Sequence, residues 1–314
     1  MRLIDNRDVR DPYLNLALEE YCVRHLAGEG PAFLVYVNEP CVVLGKNQNP
    51  VEEIDLDRVV TRGIPVARRI SGGGAVWHDP GNLNFAFLVP YRPGTPLERG
   101  RFVEPVIRAL RRIGIPAEAG ERSDILVEGR KVSGGAQFAS VRGALGHGTL
   151  LFDANLEQLR ACLDARPVGV ESRAVKSVRS GVVNLREFLG KDWTMEEFRT
   201  RLVTEILAAE APSSPVRLEE EQWSEIGDLA DGKYRTWEWT YGRTPPFLVR
   251  RSGRFPGGEA RATVRVRGYR VEAVELGGTW PDPVAAEALA ARLRGAPYDP
   301  DRLEELLALP DQST

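Results

Sequence analysis

Apolar positions along this chain change period several times, and the changes mark its elements. Leu14, Leu18, Tyr21, Cys22 and Leu26 fall at helical spacing. Asp11 stands as the cap, Pro12 in the first helical position and Gly28 just past the end. Apolar runs at Ala32–Val37 and Cys41–Leu44 read as two strands, and the intervening Asn38-Glu39-Pro40 suggests a hairpin. Asn82–Val89 alternates, then ends in a continuous apolar stretch, which again predicts a strand. Helical spacing returns from Phe102 to Ile113 and stops at Gly114. Ile125–Val127 and His147–Phe152 read as strands, and Leu156–Leu163 as a short helix. Thr194-Met195-Glu196-Glu197 is a capping box opening a helix that runs to about Ala209.

Composition breaks at Ala211–Pro215 and again at Gly242–Pro246. Beyond the second break, Ala262–Val266 and Tyr269–Leu276 alternate about Arg267-Gly268, a hairpin signal. Two short helices, Pro283–Leu293 and Asp301–Leu309, close the chain. The expectation is an α/β (α+β) protein. Residues 1–243 would form a mixed sheet flanked by helices, and residues 246–314 a small C-terminal α+β domain.

Two glycine-rich segments interrupt this pattern. Arg69-Ile70-Ser71-Gly72-Gly73-Gly74-Ala75-Val76-Trp77-His78-Asp79 leads into a strand, and Gly129-Arg130-Lys131-Val132-Ser133-Gly134-Gly135-Ala136 lies between strands. Successive glycines cost conformational entropy in a regular element, and they suit a turn that brings backbone N–H groups close to an anion. Neither segment matches a Walker A loop or a dinucleotide fingerprint, since neither has the glycine spacing between a strand and a helix. One segment carries an arginine and the other a lysine, so together they could surround a phosphate, Arg69 with a planar fork and Lys131 with a movable point charge. A lysine between a carboxylate and a phosphate also offsets their repulsion, roughly 4 kcal/mol for unit charges about 4 Å apart at an effective dielectric near 20.

Charge narrows the partners. The 314 residues include 42 basic and 45 acidic side chains, a net −3, which gives no bulk attraction to nucleic acid or a membrane. No apolar run reaches membrane-spanning length, and the first residues do not open a signal peptide. Cys22, Cys41 and Cys162 form no C-x-x-C motif. A reducing, cytoplasmic setting is expected.

Taken in order, Arg69–Asp79, Gly129–Gln137 and His147–Leu151 resemble the lipoate–protein ligase A family of the biotin/lipoate ligase superfamily. Ser177–Leu185 resembles that family's adenylate-binding loop, and Trp237–Phe247 the segment leading into its small C-terminal domain. The resemblance implies that lipoate or octanoate is activated by ATP to an acyl-AMP. The acyl group then passes to a lysine of a lipoyl domain, on a 2-oxoacid dehydrogenase E2 subunit or the glycine-cleavage H protein. It implies Lys131 as the electrostatic catalyst, and ATP contacts from Arg69, Gly74, Ala75, Val76, Trp77, Asn82, Lys131 and Ser177. Lipoate contacts are implied for Arg69, Ser71, Gly73, His78, Lys131 and His147, and Mg²⁺ binding for Asp124. Leu16, Tyr36 and Trp77 suit an apolar wall for the acyl chain.

Three rivals remain on the sequence. An octanoyltransferase would share the fold but use a cysteine thioester without ATP. Cys162 is weighed for that role, yet it falls on the apolar stripe of a short helix, whereas a reactive thiol needs an electropositive, partly exposed site. Biotin–protein ligase shares the reaction type, but its basic glycine motif is arranged differently. A scaffold that binds lipoate without adenylating it is the third.

Overall fold

In the computed structural model the described residues are 1–98, 100–178, 180–190, 192–208, 215–255 and 257–307. The expected helix end at Ala209, the break at Ala211–Ser214, Arg179 and Leu309 lie outside them. The frame is a five-stranded mixed sheet in the order Arg2–Ile4, Ala32–Val37, Asn82–Val89, Gly143–Leu151, Gly135–Ser140, in which only the first pair is parallel.

Strand alternation assigns the two faces. Phe33, Val35, Phe85 and Phe87 point one way, into a core completed by helices Gly100–Arg112 and Met195–Leu207. Leu34, Tyr36, Ala86 and Leu88 point the other way, against helix Pro12–His25. That helix begins as expected: the Asp11 side chain accepts from the amides of Tyr13 and Leu14, and Pro12 needs no partner in the first turn. The capping box at Thr194–Glu197 also forms.

The proposed hairpin at Asn38-Glu39-Pro40 does not form. Cys41–Leu44 instead centres a separate three-stranded sheet, parallel to Val66–Arg68 and antiparallel to Val76–His78. Asn38 is wholly buried and bonded to Asn15 and His78, so the turn is anchored inward and sends the chain to a new layer. A third sheet, Ala117–Ala119, Ile125–Val127 and Arg130–Ser133, carries Lys131. The lysine therefore sits on a strand, not in a loop.

A four-stranded antiparallel sheet follows Pro245-Pro246, formed by Phe247–Phe255, Gly258–Arg267 and Arg270–Gly278 together with Val170–Ser172 from earlier in the chain. Helices Pro283–Leu293 and Pro300–Leu307 follow it. Both turn residues of the last hairpin, Gly268 and Tyr269, have positive φ, which matches the right-handed twist of the strands they join. No helix among the described residues is long and apolar enough to cross a membrane.

Candidate active site

Sheet register lays the floor of the site. Tyr36 pairs with Asn84 and Asn84 with Thr149, so three adjacent strands present three polar side chains in one row beneath helix Pro12–His25. His147 lies two residues before Thr149 and shares its face. From the helix above, Leu16 and Glu19, three residues apart, descend onto this row. These residues line the deep end of a cavity of about 220 Å³.

Glu19 organises that end. Tyr36 donates its hydroxyl to Glu19 Oε1 at 2.9 Å, and His147 Nδ1 meets Glu19 Oε2 at 2.7 Å. The other ring nitrogen, Nε2, lies 2.6 Å from Ser71 Oγ. His78 Nδ1 accepts from the Asn38 amide at 2.9 Å, which leaves the ring proton on Nε2. Burial, reinforced by the charges of Arg69 and His147, pushes the His78 pKa down to about 3, so this imidazole is neutral.

The first glycine segment folds around its own arginine. Arg69 Nε donates to Ser71 Oγ at 3.0 Å, Nη2 to the carbonyls of Gly72 and Gly74 at 2.7 and 2.8 Å, and Nη1 to the Val43 carbonyl at 3.2 Å. This corrects the expectation of a fork aimed at phosphate: the fork grips the loop's carbonyls and holds its shape. Gly73 has a φ of 91°, and a Cβ there would come within 2.9 Å of Arg69 Nη2. A Cβ on Gly74 would lie 2.7 Å from Ser177 Oγ.

Ser177 fastens the Val175–Val178 segment over that loop. Its Oγ accepts from the Ala75 amide at 2.9 Å and from Gln48 Nε2 at 3.1 Å, and donates to Glu53 Oε2. Burial pushes the Glu53 carboxyl above its usual range, while the hydrogen bonds from Ser177 pull the other way.

Beyond the glycine segments the cavity opens into a larger chamber of about 1040 Å³. Lys131, Gly134, Thr149, Ala75, Val76 and Lys176–Val178 line both. Lys131 thus stands at the junction, its Nζ 3.0 Å from Asp124 Oδ1. Arg69 and Lys131 both line the smaller cavity. Ser133 borders the larger chamber, and its buried Oγ has no hydrogen-bond partner among the described residues.

Most expected residues converge here: Arg69, Gly73, Gly74, Ala75, Val76, His78, Asp124, Lys131, His147 and Ser177 all line the smaller cavity. Three do not. Ser71 is buried behind it, bonded to His147. Trp77 alternates away from Val76 and His78, and its indole donates to Asp79 Oδ2 at 2.8 Å; it borders the larger chamber and is no wall for an acyl chain. Asn82 lies in neither lining and donates to Asn84 Oδ1 at 3.0 Å. Sequence reasoning missed Glu19, Asn84, Thr149, Arg122 and Lys176. Three had a signal: Glu19 is one helical turn from Leu16, Asn84 alternates with Asn82, and Thr149 with His147.

The α+β frame thus holds a small, polar-ended cavity that meets a larger chamber beside Lys131. The family model described as lipoyl protein ligase A/B catalytic domain matches residues 11–207. Lipoate-protein ligase LplJ of Bacillus subtilis (strain 168) is 42% identical over 280 residues, 88% of this chain and 85% of that protein. A lipoate-protein ligase A solved with ATP bound is 28% identical, covers 76% of this chain and 97% of its own, and superposes with a TM-score of 0.65. A bi-partite lipoate protein ligase of Thermoplasma acidophilum, studied with its E2 lipoyl domain, is 26% identical over 76% of this chain and 95% of its own, with a TM-score of 0.63. This chain belongs to the lipoate–protein ligase family.

Proposed function

We propose that this chain activates lipoate with ATP and transfers the acyl group to a lysine of a lipoyl domain. The observation that carries the reading is Lys131 at the mouth between an acyl-sized cavity and a nucleotide-sized chamber. In the first step a lipoate carboxylate oxygen bonds to the α-phosphorus of ATP, and the bond to the bridging oxygen breaks, releasing pyrophosphate. In the second the ε-amine of the acceptor lysine attacks the acyl carbonyl. The carbon–oxygen bond to AMP breaks, and the amine proton is lost.

Lys131 opposes the charge that builds on the phosphoryl and carbonyl oxygens in both steps. Neutral His78, with its N–H on Nε2, serves as a hydrogen-bond donor in the acyl cavity, while Glu19 orders His147 and Tyr36 around it. Backbone at Gly74–Val76 and the Ser177 segment cover the nucleotide and keep water from the mixed anhydride. Mg²⁺ would neutralise phosphate charge. Among the described residues no three His, Cys, Asp or Glu side chains gather for a metal. Asp124 would offer a single carboxylate to a Mg²⁺ held mainly by ATP phosphates and water, which is the usual manner of this ion with nucleotides.

A thioester route finds no support. All three cysteines are buried and outside both chambers, and burial raises the pKa of each thiol. We assign catalysis to residues 1–243 and an accessory role to 246–314. The protein acts in the cytoplasm, on E2 lipoyl domains and the glycine-cleavage H protein. Incubation with ATP, Mg²⁺, lipoate and an apo lipoyl domain tests this: the acceptor should gain one lipoyl mass with AMP released in equal amount. Mass gain without ATP would contradict it.

A further inference from the structure

Among the described residues, four cationic side chains other than histidine line the acyl cavity, and three are already engaged. Arg69 grips its own loop, Lys131 faces Asp124, and Lys176 lies 3.1 Å from Glu52. Arg122 is different. It is exposed and has no hydrogen bond or ion pair among the described residues, yet it lines the cavity beside Asp124. The backbone presents it there deliberately. Gly120 N donates to Asp124 O at 2.9 Å, closing a tight turn, and Ser123 adopts a φ of 64°. The Ser123 carbonyl presses on strand Gly135–Ser140, where a Cβ on Gly135 would come within 2.7 Å of it. Thus the turn is seated against the site rather than free of it. Arg122 also borders a small recess shared with Gly72, Gly73 and Ala136.

Direction follows from the two chambers. Arg122 and Asp124 line the acyl cavity but not the nucleoside chamber. With the acyl chain at the deep end by Leu16, Glu19 and Tyr36, the α-phosphate at Lys131 and the nucleoside in the larger chamber, the remaining phosphates are assigned to the recess that Arg122 borders with Gly72, Gly73 and Ala136. We propose that Arg122 binds the β- and γ-phosphates of ATP and then the departing pyrophosphate. This assignment rests on the adenylation reading above. When the carboxylate oxygen bonds to the α-phosphorus, the electron pair of the broken bond goes to the pyrophosphate oxygen. A guanidinium fork matches that developing anion bidentately, which an ammonium does not.

The test uses the whole chain in lipoate-dependent ATP–pyrophosphate exchange, with transfer from synthetic lipoyl-AMP to an apo lipoyl domain as a second readout. Arg122→Ala should raise the KM for pyrophosphate at least tenfold and leave the KM for lipoate within twofold. Arg122→Lys should fall between Ala and wild type. Transfer from lipoyl-AMP, which involves no pyrophosphate, should keep its rate within about twofold. Unchanged KM values for ATP and pyrophosphate in Arg122→Ala would overturn the assignment, as would an equal loss in the transfer step. A wild-type chain with no exchange at all would instead overturn the adenylation reading beneath it.

Discussion

Nζ of Lys131, a residue that lines both the acyl cavity and the nucleotide chamber, stands 3.0 Å from Oδ1 of Asp124. Both side chains are about a quarter exposed, so the pair is reachable by ligand yet shielded from bulk water. A charge held at that depth acts across a lower effective dielectric than at the surface, and its effect on a developing oxyanion grows accordingly. The ion pair also fixes where the ammonium waits before any anion arrives.

Ser177 closes the site from above, and its loss should be felt twice. Ser177→Ala removes an acceptor from the Ala75 amide and a donor from Glu53. Leaving such groups unpaired costs about 1–3 kcal/mol. Thermal unfolding should show a lower midpoint, and the KM for ATP should rise at least severalfold while the KM for lipoate changes less. Gly74→Ala, whose new Cβ meets Ser177 Oγ, should reproduce the kinetic effect.

His78 should make stability depend on pH. Its folded pKa is pushed down to about 3, below the ordinary value of 6.5. Between these values the unfolded chain binds a proton that the folded chain refuses. Stability from this group is therefore complete above pH 6.5 and falls as pH drops, by about 1.4 kcal/mol per unit. Urea unfolding from pH 7 to 5 should show that slope in wild type and a shallower one in His78→Gln. Equal slopes would place the imidazole in water.

Arg68 ties the C-terminal junction to the site. It is wholly buried, donating to the Thr240, Gly45 and Gln48 carbonyls and to Thr244 Oγ1. Burial lowers its pKa to about 10, which still leaves it charged at neutral pH. Arg68→Met strands several carbonyls and should cost on the order of 3 kcal/mol or more. Calorimetry should show a marked fall in Tm, with Arg68→Lys between the two.

Local signals were legible where the chemistry was local. Asp11 and Thr194 announced their helices because a cap needs only its own first turn. Asn38-Glu39-Pro40 misled because a polar turn between two apolar runs does not say whether the strands pair, and here tertiary anchoring of Asn38 decided. Lys131, Arg69, His78 and His147 were visible as chemistry, but the use of Arg69 was not: its acceptors are mostly carbonyls, and carbonyls leave no trace in a sequence. Trp77 was readable in principle, since a strand must turn it away from Val76 and His78. Arg122 and Lys176 reach the site only through the packing of distant turns, for which no periodicity exists.

The central claim is that Lys131 drives adenylate formation, and lipoate-dependent exchange of pyrophosphate into ATP measures that step alone. Wild type should exchange, and Lys131→Ala should lose about two to three orders of magnitude in rate with its thermal midpoint nearly unchanged. Exchange at the wild-type rate in a folded Lys131→Ala protein would contradict the account.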